Sequence, residues 1–187
     1  MKARLGFHNR VVAALLPLLF LVAPAQAADP ARLEGFYQRL KDAAPDEAAR
    51  IEAEIRIEWA KSGSPAFDLL LQRGTDALDG GDYQTAAEHF TALLDQDPGF
   101  VEARASRAMA YFMAGDVGPA LADLALVLRA DPRRFDALAG VGTVLEETGD
   151  RSRALAAYRA AAAIHPHMPD VNDAIERLAK ELEGQEL

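Results

Sequence analysis

Apolar positions recur along residues 65–166 with a short spacing and a long one. Within each short stretch, apolar or small side chains come three or four positions apart, as Leu70, Gly74, Ala77 and Leu78 illustrate. This spacing places them on one face of an α-helix. Helices are predicted over residues 67–79, 83–96, 101–113, 117–130, 135–147 and 151–164. The pattern therefore predicts an all-α chain built from pairs of amphipathic helices.

The long spacing is 34 residues, and it relates whole helical pairs. Five columns recur at this step: Gly74, Ala108 and Gly142; Gly81, Gly115 and Gly149; Ala86, Ala120 and Ala154; Phe90, Leu124 and Tyr158; and Pro98, Pro132 and Pro166. The second column is followed each time by an aspartate, so that a glycine ends one helix and an aspartate can cap the next. The prolines close each copy. Repetition at this period predicts a stacked array of similar units.

These columns resemble the tetratricopeptide repeat, a helix-turn-helix unit of 34 residues. The resemblance covers three units, residues 65–98, 99–132 and 133–166. The sequence departs from the family pattern at two columns. The early aromatic position holds Leu70, Arg104 and Leu138, and Arg73 and Arg107 replace the usual leucine before the small residue. The resemblance implies a right-handed superhelical array whose first helices line a concave face.

Both flanks of the array are predicted to be helical. Residues 28–64 read as a divergent N-terminal hairpin, either a further copy of the repeat or a plain capping hairpin. The first alternative rests on the spacing of Ala53, Ile57, Ala60 and Pro65, which matches that of Ala86, Phe90, Leu93 and Pro98. Residues 167–187 contain one amphipathic helix, predicted over 169–183. Its polar outer face suits a cap on the last apolar edge of the array.

The first 27 residues have the organisation of a secretory signal peptide. A basic start is followed by an uninterrupted apolar run over residues 11–22 and then by Ala25-Gln26-Ala27. Twelve residues of helix span roughly 18 Å, less than the ~30 Å of a hydrocarbon core. We therefore expect cleavage after Ala27 and a soluble, periplasmic mature chain. An uncleaved N-terminal anchor is the alternative.

Composition excludes several classes of function. The chain has no cysteine, so it can form neither disulfides nor thiolate metal sites. Its net charge is −9, and removal of the basic signal segment leaves 17 basic and 29 acidic residues, a balance of −12. Such a surface argues against nucleic acid as a partner, because phosphates require a positive surface.

The sequence offers no convincing catalytic or cofactor site. His165 and His167 could present two imidazoles to a metal ion, but no third ligand is near them in the sequence. The serines do not adjoin histidines, and the glycines fall at repeat turns instead of forming a phosphate-binding loop. We expect a protein that is not an enzyme and that holds no cofactor and no metal.

The resemblance implies that the concave groove takes a peptide or a partner helix. The matching groove positions are Leu71, Thr75, Leu78 and Asp79, then Met109, Phe112 and Met113, then Thr143, Glu146 and Glu147, with Ala105 and Ala139 between them. The middle set is apolar, and acids flank it. An alternative is that Met109 and Phe112 belong to the core between helices. Chaperone-binding family members grip a terminal carboxylate with lysine and asparagine, which Thr75, Met109 and Thr143 cannot replace.

Taken together, these patterns predict an exported protein–protein interaction module. It would serve as an adaptor or scaffold for a cell-envelope complex. The apolar centre and acidic flanks favour a basic partner with an apolar anchor. The alternative function is that of a periplasmic chaperone or holdase for unfolded clients.

Overall fold

The structure is a computed structural model that describes residues 27–184. Over this range the chain folds into nine α-helices: α1 (Pro30–Asp42), α2 (Pro45–Trp59), α3 (Pro65–Asp79), α4 (Tyr83–Gln96), α5 (Val101–Met113), α6 (Val117–Ala130), α7 (Phe135–Glu147), α8 (Arg151–Ile164) and α9 (Pro169–Glu183). The predicted all-α class is confirmed. Helix α3 begins at Pro65 instead of residue 67, because proline is well tolerated in the first turn of a helix.

The proposed signal segment lies outside the described residues apart from Ala27. Within residues 27–184, no helix combines the length and the apolar character needed to cross a bilayer.

Helices α3 to α8 form the three predicted helical pairs, stacked in chain order. Each pair packs internally, and α4 packs against α5 as α6 packs against α7. The turns inside the pairs need Gly81, Gly115 and Gly149, whose φ angles of 77°, 85° and 87° lie in the left-handed region. Helix α9 covers the far side of α8 with Val171, Ala174 and Leu178, all buried. It is the terminal cap that the sequence predicted.

The seam is defined here as the contact between the two helices of each pair. It explains why the column of Gly74, Ala108 and Gly142 holds glycine twice and alanine once. At Gly142, a Cβ atom would lie 2.6 Å from a ring carbon of Tyr158. A Cβ at Gly74 would overlap the Phe90 ring in the same way. In the middle pair the facing residue is Leu124, and Ala108 packs beside it in the same buried cluster. Glycine is therefore required where an aromatic ring fills the seam.

Adding one methyl group at this seam should be costly. We expect Gly74→Ala to lower the free energy of unfolding by about 1–2 kcal/mol, because overlap with Phe90 outweighs the ~1 kcal/mol gain in helix propensity. The loss should shrink in a Phe90→Leu background, which reproduces the arrangement of the middle pair. Gly140→Ala is the control, since its Cβ would lie at an ordinary 3.4 Å from Leu124. Urea unfolding of the four variants measures these differences, and equal effects of Gly74→Ala in both backgrounds would contradict the seam account.

The N-terminal hairpin, α1 and α2, does not stack on α3 as a preceding repeat would. Its apolar face, which includes Phe36, Ile55 and Trp59, forms one buried cluster with Phe135 at the start of α7. Ile164 and Met168 pack against the same cluster. The interpretation of residues 28–64 as a further stacked copy is therefore corrected, because the hairpin folds back onto the third repeat.

The exposed edge of α3 agrees with this packing. Leu69 is 52% exposed, whereas Ala103 and Ala137, one and two repeat steps later, are buried by the preceding helical pair. Helix α3 is therefore the N-terminal edge of the stack.

Polar and cation–π contacts add to the apolar docking of the hairpin. The Tyr37 hydroxyl donates a hydrogen bond of 3.3 Å to Asp131, and Glu34 forms an ion pair with Arg133. The Arg134 guanidinium carbon lies 3.8 Å from the centroid of the Trp59 ring. These contacts join α1 and α2 to the loop that precedes α7, and so place α2 along one side of the concave face.

Candidate functional site

A large cavity lies on the concave side of the array. It has a volume of about 650 Å³ and is bounded by α2, α5, α7 and the start of α9. Its apolar lining comes mainly from the first helices of the repeats: Leu78, Ala105, Met109, Phe112, Ala139 and Val144, with Tyr158 and Met168. Sites for ligands and peptides commonly combine such a concave apolar lining with a few polar groups.

Six of the twelve predicted groove residues line this cavity: Leu78, Ala105, Met109, Phe112, Ala139 and Thr143. Met109 is 49% exposed, so the alternative that places it in the core is wrong for this residue. Phe112 is half-buried and packs against the cluster of Leu124 and Val144 while also facing the cavity. Phe112 therefore serves both the core and the cavity.

The other six predicted residues do not line the cavity. Leu71 is buried in the core cluster of the first repeat, and the Thr75 hydroxyl donates to the Leu71 carbonyl oxygen at 3.0 Å. Asp79, Met113 and Glu147 are exposed near the carboxyl ends of their helices. Glu146 is bound by Arg177 at 2.6 Å, and the hydrogen bond from Arg177 lowers the pKa of Glu146.

The carboxyl ends of the first helices form an acidic rim, defined here as Asp79 and Glu147 with Asp76 beside them. The last turns of α3, α5 and α7 contain no basic residue. Acids at this end of a helix oppose the macrodipole, at a cost of about 0.3–1 kcal/mol each at an exposed site. The rim therefore adds negative potential at the carboxyl ends of α3 and α7, at the expense of helix stability.

One side of the cavity is a wall, formed by α2, that the sequence did not predict. Helix α2 contributes Glu52 and Arg56 to the cavity lining. Glu52 accepts hydrogen bonds from Arg56 Nε at 2.9 Å, and its Oε2 atom lies 3.1 Å from Nε2 of His165. The contact with His165 is the main reason that the pKa of Glu52 is lowered to about 2. The only local signal was the spacing of Glu52 and Arg56, four residues apart on a helix.

The lowered pKa of Glu52 predicts a pH-dependent docking of the hairpin. A carboxylate with a depressed pKa stabilises the fold above its ordinary pKa of 4.5, and this contribution is lost as the pH falls towards 2. Urea unfolding across that range should therefore show a steeper loss of stability for the parent chain than for Glu52→Gln. Glu54→Gln, at an exposed position on the same helix, is the control. Parallel curves for the parent chain and Glu52→Gln would exclude this role of Glu52.

A buried ionic cluster lies beneath the wall. Arg134 is almost fully buried and donates hydrogen bonds of 2.9 and 2.6 Å to Asp136. Glu102 Oε2 lies 2.9 Å from Arg134 Nη2, and burial raises the pKa of Glu102. One buried arginine is thus shared by two carboxylates, Glu102 and Asp136, that line the cavity.

The two neighbouring histidines do not converge on a common point. The rings of His165 and His167 are 6.4 Å apart, and the two ring nitrogens of His165 contact Glu52 and the backbone amide of His167. Within residues 27–184, no group of three histidine, aspartate or glutamate side chains has the arrangement of a metal site.

Comparisons with known proteins agree with this architecture. The tetratricopeptide repeat family model matches residues 71–132 and 119–169, together more than half of the chain. A TPR repeat-containing protein of Rhizobium etli is 28% identical over 193 aligned residues, covering 93% of this chain and 95% of the relative.

Solved structures show the same fold. The Sgt2 TPR domain from Aspergillus fumigatus has a TM-score of 0.61 at 22% identity and covers 66% of this chain and 83% of its own. The first TPR domain of Spaghetti (RPAP3), bound to the HSP90 peptide SRMEEVD, has a TM-score of 0.59 at 20% identity over 62% of this chain and 91% of its own. With the repeated helical pairs and the family match to residues 71–169, these findings show that the chain belongs to the tetratricopeptide repeat family.

Proposed function

We propose that this chain is an exported protein–protein interaction module that binds a peptide or helix of a partner protein in its concave groove. Its biological role would be that of an adaptor or scaffold for a cell-envelope complex. The observation that carries the proposal is the exposure of Met109 within a large apolar cavity, where a globular core would have buried it. Methionine is suited to such a surface because its flexible, polarisable side chain adapts to different partners.

Charge supports a basic partner with an apolar anchor. The cavity is lined by the carboxylates Glu52, Glu102, Asp136 and Asp170. Arg56 and the buried Arg134 offset only part of this charge. A positively charged segment would be attracted to this surface, and its association should weaken as salt is added.

A pull-down with the mature chain tests the function and separates it from the holdase alternative. A scaffold should retain a few stoichiometric partners from envelope extract. Met109→Ser should lose the same partners, because it removes the apolar contact at the centre of the groove. Recovery of many unrelated unfolded proteins, equally by the parent chain and by Met109→Ser, would favour the holdase instead.

Export to the periplasm rests on the N-terminal sequence. We expect mass spectrometry of the protein isolated from its native host to find Ala28 as the first residue, since Ala25-Gln26-Ala27 ends a short apolar run. Detection of the intact N-terminal segment in the purified protein, or of the protein in the cytoplasm, would contradict this part of the proposal.

A further inference from the structure

The folded-back hairpin adds a cation to the lining of the groove. Arg56 of the α2 wall lines the same cavity as the carboxylates Glu52, Glu102, Asp136 and Asp170. The Arg56 side chain is 52% exposed and lines the cavity. It is therefore a partly exposed cation among the carboxylates of the groove.

The Arg56 side chain is oriented by its contact with Glu52. Its Nε and Nη2 atoms contact the same oxygen of Glu52, at 2.9 and 2.8 Å. Glu52 is itself fixed by the fully buried His165, which packs edge-on against the Phe135 ring at 4.9 Å between centroids. Among residues 27–184, Nη1 of Arg56 makes no hydrogen bond, so this donor is available to an incoming group. An arginine positioned in this way is well suited to bind a carboxylate.

We propose that Arg56 is a specificity-determining residue of the groove that binds an acidic side chain of the partner segment. The inference rests on the proposed function and adds the order of apolar, basic and acidic residues along the bound segment. The bound segment places an apolar residue on Met109, directs its basic residues towards the carboxylates of the cavity and presents one acidic residue to Arg56. A purely basic segment would leave Arg56 facing like charge, which disfavours it relative to a segment of mixed charge. The wall thus fixes the orientation in which a partner lies across the groove.

A peptide selection tests this inference without a known partner. The mature chain is immobilised, and a library of random twelve-residue peptides displayed on phage is selected against it. Parallel selections use Arg56→Ala, Arg56→Glu and, as a matched control, Arg50→Ala, which removes an exposed arginine of α2 that does not line the cavity. Circular dichroism melts verify that each variant remains folded.

We expect the parent chain and Arg50→Ala to enrich one motif that combines apolar, basic and acidic positions. Arg56→Ala should lose the acidic position, and Arg56→Glu should replace it with a basic one. A synthetic peptide with the parent motif should bind Arg56→Ala at least about tenfold more weakly, the usual scale for a lost hydrogen bond to a charged group. Its affinity for Arg50→Ala should be unchanged.

Two other outcomes distinguish failure of the inference from failure of the function. The same motif from the parent chain and both Arg56 variants would overturn the role of Arg56 and leave the groove intact. Enrichment of no motif by the parent chain would overturn the proposed function, and the role of Arg56 with it.

Discussion

Replacing Phe135 with alanine should lower the free energy of unfolding by about 3–5 kcal/mol, the scale of a deleted core phenylalanine. Phe135 is fully buried, and its ring lies 5.2 Å from the Trp59 ring and 4.9 Å from the His165 ring, measured between centroids. It is the residue by which the third repeat enters the hairpin cluster. Its loss should therefore undock α1 and α2 as well as destabilise α7.

Fluorescence can follow undocking directly, because Trp59 is the one tryptophan of the chain. In Phe135→Ala, the emission of Trp59 should shift to longer wavelength before the helices melt in urea. Leu178→Ala is the control, since Leu178 is fully buried in the separate cluster of α8 and α9. It should cost about 2–5 kcal/mol without an early change in Trp59 emission. Simultaneous loss of fluorescence and helicity in Phe135→Ala, with a small change in stability, would contradict the hairpin docking described here.

Replacing Met109 with serine should weaken partner binding by about 2 kcal/mol or more, roughly 30-fold, while changing stability by less than about 1 kcal/mol. Met109 is already half exposed in the free protein, so its truncation removes little from the core. Bound to a partner, the same side chain would be the apolar contact at the centre of the groove. Phe112→Ser should reduce both binding and stability, because Phe112 is shared by the cavity and the core.

Met113→Ser provides a matched control for Met109→Ser. Met113 is 47% exposed on the same helix, close to the 49% of Met109, but it does not line the cavity. Its replacement should leave binding of a groove peptide unchanged. Titration with a library-selected peptide measures the change in affinity, and a thermal melt of each variant measures the change in stability. Equal losses of affinity for the two methionine variants would indicate general surface hydrophobicity instead of a defined groove.

The stacked array could be predicted because its signals are local and repeated. A glycine at each turn, a proline at each closing loop and small residues facing bulky ones appear three times at a spacing of 34 residues. Each copy supports the alignment of the others, and consequently the helix boundaries agreed to within two residues.

The docking of the hairpin could not be predicted, because its cause is a set of contacts between distant parts of the chain. Trp59 and Phe135 are separated by 76 positions, and Glu52 and His165 by 113. The apolar spacing of α2 indicates only that one face is buried. It does not distinguish stacking on α3 from packing on the third repeat. For this reason, the alternative in which residues 28–64 form a further stacked repeat was wrong.

The residues of the candidate site also divide into those that the sequence predicted and those that it did not. Met109, Phe112 and Thr143 follow from the repeat register, since each occupies a position on the first helix of its unit that faces the groove. Glu52 and Arg56 depend on the hairpin and were missed. Glu146 was predicted as an acidic residue of the groove, but Arg177 of α9 binds it. Its pairing depends on packing between α7 and α9, which no local pattern reports.

The most direct test of the groove is methyl NMR of the mature chain labelled with ¹³C at the methionine methyl groups. Outside the proposed signal segment, the sequence contains three methionines: Met109, Met113 and Met168. Met109 and Met168 line the cavity, whereas Met113 lies outside it. On addition of the library-selected peptide to saturation, we expect the resonances of Met109 and Met168 to shift while that of Met113 stays in place. Unchanged resonances of Met109 and Met168 with the peptide fully bound would show that it binds elsewhere, and would contradict a partner site in the concave groove.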